Sequence, residues 1–207
     1  MKMITDRDHD VEINRANMYK ALSLLYKQPE TEMEETLNYL KGSIEKLNPQ
    51  LVEITEEMEN EFSSFKEDLV TLKVDHAKLF IGPADLLAPP YSSIYLDGER
   101  KVMGDSTIKA MAYYQEAGLE INSSFMDVPD HLAAELEFMY YLIIKSLNSI
   151  DNLAIKLQQS FLKNHLGLWV EKFTERVIER ANTNYYRNLA VITKKIIDQE
   201  VQRFATI

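Results

Sequence analysis

Apolar residues recur along this chain at steps of three and four almost from end to end, the spacing that gathers side chains on one face of a 3.6-residue turn. Asn14 to Tyr26 carries Ala16, Tyr19, Leu22, Leu25 and Tyr26 on one side, and Pro29 stops the run. Met33, Leu37, Leu40, Ile44 and Leu47 follow at steps of four, three, four and three, until Asn48-Pro49 breaks the helix. Met58, Phe62, Phe65, Leu69 and Leu72 repeat those steps and read as one further helix. Each is amphipathic, with one face to bury.

The pattern then lapses. Between Gly82 and Gly104 stand Pro83, Pro89, Pro90 and Gly98 with no sustained period, which predicts a long loop; loops of this length in compact domains are mostly functional or disordered. Leu86, Leu87, Tyr91, Ile94 and Tyr95 argue for order, since they can bury against helices. Asp105 or Ser106 is the expected N-cap of a helix through Ile108, Met111, Ala112 and Gln115, with Gly118 at its C′ position. Asp127-Val128-Pro129-Asp130 predicts another start: Asp127 to cap, Pro129 in the first turn, Asp130 against the dipole. That helix carries Leu132, Leu136, Met139 and Ile143 and closes at Asn148-Ser149. One more is expected over Leu153, Leu157, Phe161, Leu168 and Phe173, and a last over Tyr185, Leu189, Ile192 and Ile196. With no strand alternation, repeat or low-complexity tract, the fold class is all-α, a helical bundle with long ordered loops in one domain spanning 1–207.

Composition narrows the function. The 207 residues are 45% hydrophobic and 27% charged, a soluble globular balance. Lys+Arg 23 against Asp+Glu 33 leaves a formal charge of −10, which repels phosphate backbones and anionic lipid and favours basic partners. Without cysteine there is no disulfide framework, no thiol nucleophile and no Cys-ligated zinc or iron–sulfur cluster. Met1 to Asp10 has no apolar core of the secretory kind, and the longest apolar run, Phe138 to Ile144, is far short of a membrane span. The expected location is the cytoplasm, with neither nucleic-acid binding nor stable membrane insertion.

No common catalytic motif is present: no G-x-S-x-G, Walker loop, GxGxxG or H-E-x-x-H. His9, His76, His131 and His165 are widely separated. His131 and Glu135, four apart, have metal-ligand spacing, but a di-iron bundle needs the Glu-x-x-His pair twice and two more inward Glu. The plainer reading of His131 is a first-turn histidine bonding nearby backbone. Asp130, Glu135 and Glu137 have the chemistry of an acid–base set; against that, Asp130 fits a dipole-complementing role and Glu137 a solvent-facing one. The acidic stretch Glu53, Glu56, Glu57, Glu59 and Glu61 reads as a solvated face, or more weakly as a field that attracts a basic peptide. Trp169 with Phe161, His165 and Phe173 reads as core.

Three segments are more particular: Leu79-Phe80-Ile81-Gly82-Pro83 with Pro89-Pro90-Tyr91-Ser92-Ser93-Ile94-Tyr95-Leu96-Asp97, then Met103-Gly104-Asp105-Ser106, then Pro129-Asp130-His131-Leu132-Ala133-Ala134-Glu135-Leu136-Glu137-Phe138-Met139. In this order, with the early helix ending near Pro29 and the late Phe161-x-x-x-His165-x-x-x-Trp169-x-x-x-Phe173 helix, the chain resembles the TorD/DmsD family of cytoplasmic chaperones for molybdenum-cofactor oxidoreductases. The resemblance runs from about Asn14 to Phe173, and its third segment is the most specific.

The resemblance implies an all-helical, non-enzymatic protein, a monomer or a homodimer that exchanges helical halves, with no cofactor of its own. It implies a partner, the molybdopterin-containing catalytic subunit of an oxidoreductase, recognised through its twin-arginine leader and often its body. Carried over by motif, the leader-binding residues are Leu79, Phe80, Gly104, Asp130 and His131, joined by Pro89, Pro90, Tyr91 and Glu135. Such a leader presents two guanidinium groups and then an apolar stretch. Asp130 would accept a guanidinium in a charge-assisted pair, and Leu79, Phe80 and Tyr91 would form an apolar wall. The alternatives are an assembly chaperone for a molybdoenzyme subunit that is not exported, as in nitrate-reductase assembly, and a helical metal protein or enzyme using His131 and Glu135.

Overall fold

In the computed structural model, residues 6–82, 86–98, 103–119, 128–148 and 152–205 are described. The first helix, α1 (Asp6–Leu25), begins well before Asn14, where its pattern becomes regular. It also departs from the one-faced expectation. No residue from Val11 to Tyr26 is fully exposed, because α2 (Met33–Leu47) and α7 (Leu132–Asn148) both pack along it and α10 (Asn184–Ala205) touches it. A helix enclosed this way must accommodate its polar residues inside. Arg15, 2% exposed, does so by donating Nε to both carboxylate oxygens of Glu200 (2.9 and 3.1 Å) and Nη2 to Gln158 (3.4 Å). That pairing ties α1 to α10 and to α8 (Leu153–Phe161).

The expected single helix over Met58–Leu72 is two. After the 3₁₀ turn Pro49–Leu51, α3 (Val52–Ser64) ends where the Ser64 hydroxyl bonds back to Glu61 O (2.6 Å), and α4 (Val70–His76) starts where Val70 N–H donates to Asp68 Oδ1 (3.0 Å). Such local side-chain bonds compete with the helix and leave no trace in apolar spacing. Leu69 and Leu72 stay buried, so the intervening turn preserves the apolar side. The acidic stretch is only partly a free solvated face: Glu56 and Glu59 pair with Lys41, and Glu61 accepts from Asn184 N–H.

A second single-helix expectation also fails. Between α8 and α9 (Gly167–Arg180) the backbone widens into a π turn, Leu162–Leu166. A π turn holds more residues than an α turn, so positions four apart come into line: Phe161, His165, Trp169 and Phe173 are all fully buried, while Leu168 is 52% exposed. Another π turn, Ala77–Ile81, continues α4. The long loop after it contains a short helix, α5 (Ser92–Leu96), and leads to α6 (Asp105–Glu116), where Gly118, at φ +81°, holds the expected C′ position and Ile108 faces solvent. The proposed cap Asp127 lies outside the described residues, as does Ser149. Among the described residues the extended pairing is one isolated bridge, Tyr91 to His131, and no helix is long and apolar enough to cross a membrane.

α10 receives its cap from a distant element. The Asp75 carboxylate, at the end of α4 and 1% exposed, accepts from Asn182 N–H (3.0 Å), Asn182 Nδ2 (3.0 Å), Thr183 N–H (2.8 Å) and Thr183 Oγ1 (2.8 Å). Thr183 is the N-cap of α10, and its N–H is one of the amides that a helix N-terminus leaves unpaired, while Asn182 lies one residue before it. Asp75→Ala should therefore lower stability by about 3 kcal/mol, since buried bonds to a charged acceptor are worth about 1.5–3 kcal/mol each and partly compensate one another. Urea unfolding followed by circular dichroism checks it, and an unchanged midpoint would contradict it.

Candidate functional site

The residues carried over by motif converge on one seam, formed where segment 86–98 crosses the start of α7. Ala88 N–H donates to Leu79 O (2.9 Å), Leu132 N–H to Pro90 O (2.8 Å) and Ser92 N–H to Asp130 O (3.0 Å). Pro89 and Pro90 suit this path, since neither has an amide hydrogen to satisfy, and both are buried. The Tyr91 and His131 rings meet edge to face at 5.3 Å above the seam. Asp130 lies beneath it, 0% exposed. Its Oδ2 accepts Ser93 N–H (3.0 Å), while among the described residues Oδ1 and the Ser93 hydroxyl are buried with no hydrogen-bond partner. Burying such a group unpaired is costly.

The His131 ring serves the backbone, its Nδ1 accepting Ala133 N–H (3.1 Å) in the first turn of α7. This is the plainer of the two expectations for His131. Glu135, four residues on, is fully buried, and both its oxygens are engaged: His165 Nε2 donates to Oε1 (2.7 Å) and Trp169 Nε1 to Oε2 (2.9 Å). Burial pushes the Glu135 carboxyl above the ordinary carboxylate range, and His165, Trp169 and Ser92 work against that shift. The metal expectation is not met by this geometry. His131 and Glu135 have separate partners, and no group of three or more His, Asp or Glu among the described residues is placed to hold a metal ion. Glu137 turns outward to Lys20.

Gly104 has a steric reason. Asp97, following α5, accepts Ser106 N–H through Oδ2 (3.1 Å) and so caps α6 from outside. A Cβ on Gly104 would lie 2.2 Å from that Oδ2. The expected local caps, Asp105 or Ser106, are replaced by this distant carboxylate.

The apolar wall differs from the expectation. Leu79 and Phe80 are 0% and 4% exposed, with the Phe80 ring packed among Tyr26, His76, Phe173 and Tyr186. The exposed apolar side chains on this element are Val70, Val74 and Ile81, joined by Leu87, whose N–H donates to Lys78 O. Asp97 was legible only as part of a motif and Tyr95 only as a residue that could bury against helices, yet both hold the seam: Tyr95 stacks on Trp169 (5.5 Å, 25°) with Arg176 over its ring at 4.9 Å, and Asp97 caps α6. The signal for the interior was the four-residue repeat of His165 and Trp169, which places both on one face.

Fold and site together define an all-α protein whose candidate site is a covered seam between an irregular segment and a helix start. Residues 26–175 match the family model described as nitrate reductase delta subunit, and the chain belongs to this family, that of the TorD and DmsD chaperones. It is 29% identical over 121 residues to the "Probable Tat proofreading chaperone DmsD" of Haemophilus influenzae, covering 58% of this chain and 56% of that one. It is 29% identical over 142 residues to the chaperone protein TorD of Shewanella sp. (strain MR-4), covering 66% and 65%. With TorD of Vibrio vulnificus (strain YJ016) the match is 28% over 188 residues, covering 84% and 86%. The chain thus spans little more than half of the DmsD relative and just under two thirds of the Shewanella one. A crystal structure described as a candidate redox enzyme maturation protein from Archaeoglobus fulgidus shares the fold, at TM-score 0.57 and 21% identity over 88% of this chain and 93% of that one.

The Glu135 network has a pH signature. A carboxyl whose folded pKa is raised binds its proton more tightly folded than unfolded, so its contribution to stability is full below the unfolded value and lost as pH rises through the folded one. Glu135→Gln removes that titration, and its amide can still accept from Trp169 Nε1. Its unfolding free energy should fall less than the native protein's between pH 5 and pH 8. Glu135→Ala, which leaves both donors unpaired, should cost about 3–5 kcal/mol. Chemical denaturation at the two pH values checks both; identical pH slopes in the native and Gln proteins would contradict the assignment.

Proposed function

We propose that this protein is a non-enzymatic cytoplasmic chaperone that binds the twin-arginine signal peptide and body of a molybdopterin-containing oxidoreductase catalytic subunit. It holds that client until the cofactor is inserted, before export. The observation that carries this reading is the half-satisfied carboxylate of Asp130 at the seam where the motifs converge; exposed apolar side chains, Val70 at 59%, Val74 at 47% and Ile81 at 60%, lie on α4 and its π turn, whose end segment 86–98 meets through Ala88 N–H to Leu79 O. A twin-arginine leader is two cations followed by apolar residues; the carboxylate beneath the seam and the exposed apolar side chains of α4 and its π turn match those two kinds of group. The names of the relatives, a Tat proofreading chaperone and TorD chaperones, support it. Under this reading Leu79, Phe80, Pro89 and Pro90 shape the element from within, Tyr91 and His131 form its surface, and Gly104 and Glu135 hold its edges. The chain acts as a monomer or a domain-swapped homodimer, and the −10 charge speeds capture of a basic leader.

The family description, nitrate reductase delta subunit, favours a second reading: an assembly chaperone for a molybdoenzyme subunit that stays in the cytoplasm. Recognition would then survive deletion of the client's leader.

Isothermal titration with a synthetic Arg-Arg leader peptide tests the first reading. The expected Kd is micromolar, about −8 kcal/mol, weakening about tenfold or more when both arginines become glutamine, and weakening with added salt. Asp130→Asn keeps an acceptor for Ser93 N–H but removes the charge, so it should lose about tenfold in affinity with little change in melting temperature. Affinity indifferent to both changes would contradict the role given to Asp130.

A further inference from the structure

We propose that segment 86–98 is a hinged strap, latched by Tyr95, whose Ser93 amide occupies Asp130 as an internal stand-in for a client's cationic donor, and that client binding requires the strap to lift from α7. The proposal rests on the leader-binding reading for its ligand, but the strap and its latch are read from geometry alone.

The closed arrangement is well pinned at few points. The strap's backbone reaches α7 and the turn before it through Ser92 to Asp130 and Leu132 to Pro90, and a third bond runs from Ser93 N–H to the Asp130 side chain. Its far end is held by Asp97 on Ser106. Asp130 Oδ1, beneath the strap, and the Ser93 hydroxyl, on it, are buried and unpartnered among the described residues. Burying polar atoms without partners costs the closed state free energy at this place. Lifting the strap would free both Asp130 oxygens at once, which a bidentate guanidinium needs.

The latch is the Tyr95 ring. It lies between Trp169, stacked at 5.5 Å, and Arg176, 4.9 Å from its centroid, with Phe173 edge-on at 6.3 Å. On its outer side is an open recess of about 420 Å³ lined by Ile94, Tyr95, Lys172, Glu175, Arg176 and Glu179. The ring can therefore swing outward without displacing core side chains. Trp169, the sole tryptophan, also donates to Glu135, so the floor under the latch stays fixed to α7 when the strap lifts.

Two measurements test this in the full chain. Hydrogen exchange on the free protein should show the Ser92, Ser93 and Leu132 amides exchanging at least tenfold faster in Tyr95→Leu than in the native protein, with α10 amides unchanged. Equal rates at those three sites, or a rise shared by α10, would overturn the latch. The second is a covalent lock. Tyr91 and His131 form a non-hydrogen-bonded antiparallel pair, for which Cα atoms lie about 4.5 Å apart, within disulfide range. In a chain without cysteine, Tyr91→Cys with His131→Cys gives one unambiguous bridge. With the synthetic Arg-Arg peptide as probe, the oxidised variant should lose at least tenfold in affinity relative to its reduced form. Equal affinity in the two forms would overturn strap opening. If the peptide binds neither the variant nor the native protein, the leader reading fails, and hydrogen exchange alone decides the strap.

Discussion

A carboxylate carried into an apolar interior must find donors or destabilise the fold, and that requirement organises this molecule. Asp75 meets it with the amides at the start of α10, Glu200 with the guanidinium of Arg15, and Glu135 with His165 and Trp169. Each solution joins elements far apart in the chain, so the buried carboxylates pin particular positions on helices that share one apolar core. Asp130 is buried as completely but satisfied only by half. The position where the rule is least well met is the one where the motifs converge.

This contrast separates support from recognition. Glu135, Gly104 and Phe80 fit their surroundings for steric or hydrogen-bonding reasons that involve no ligand: two filled acceptors, a glycine beside the capping carboxylate of Asp97, an aromatic cluster. Their presence in the recurring motifs follows from building the seam. Under the proposed function, Asp130, Tyr91, His131 and the exposed side of α4 with its π turn are the groups a partner would meet. The proposed strap links the two groups, since Tyr95 rests on the floor that Glu135 fixes.

Much of the fold was legible because core spacing is a local signal. Leu22, Leu40, Met58, Leu136 and Leu189 lie where periodicity puts them. What was lost depends on contacts that spacing does not encode. The break between α3 and α4 is made by Ser64 and Asp68, and the phase change before α9 by a π turn that turns Leu168, expected on the apolar face, out to solvent. The caps of α6 and α10 come from Asp97 and Asp75, 9 and 108 residues from the amides of Ser106 and Thr183. The site's membership was readable from motifs, but its burial was not: Leu79, Phe80 and Asp130 look in sequence like a surface and prove to be its underside.

The central claim is that a cationic leader takes over the acceptor now held by Ser93. The most direct measurement is the ¹⁵N–¹H signal of the Ser93 amide during titration with an Arg-Arg leader peptide. The account predicts that this resonance shifts among the most and loses the low-field position expected of an amide bonded to a carboxylate, while the Asn182 and Thr183 amides on Asp75 stay fixed. A saturating peptide that leaves the Ser93 amide in place would contradict it.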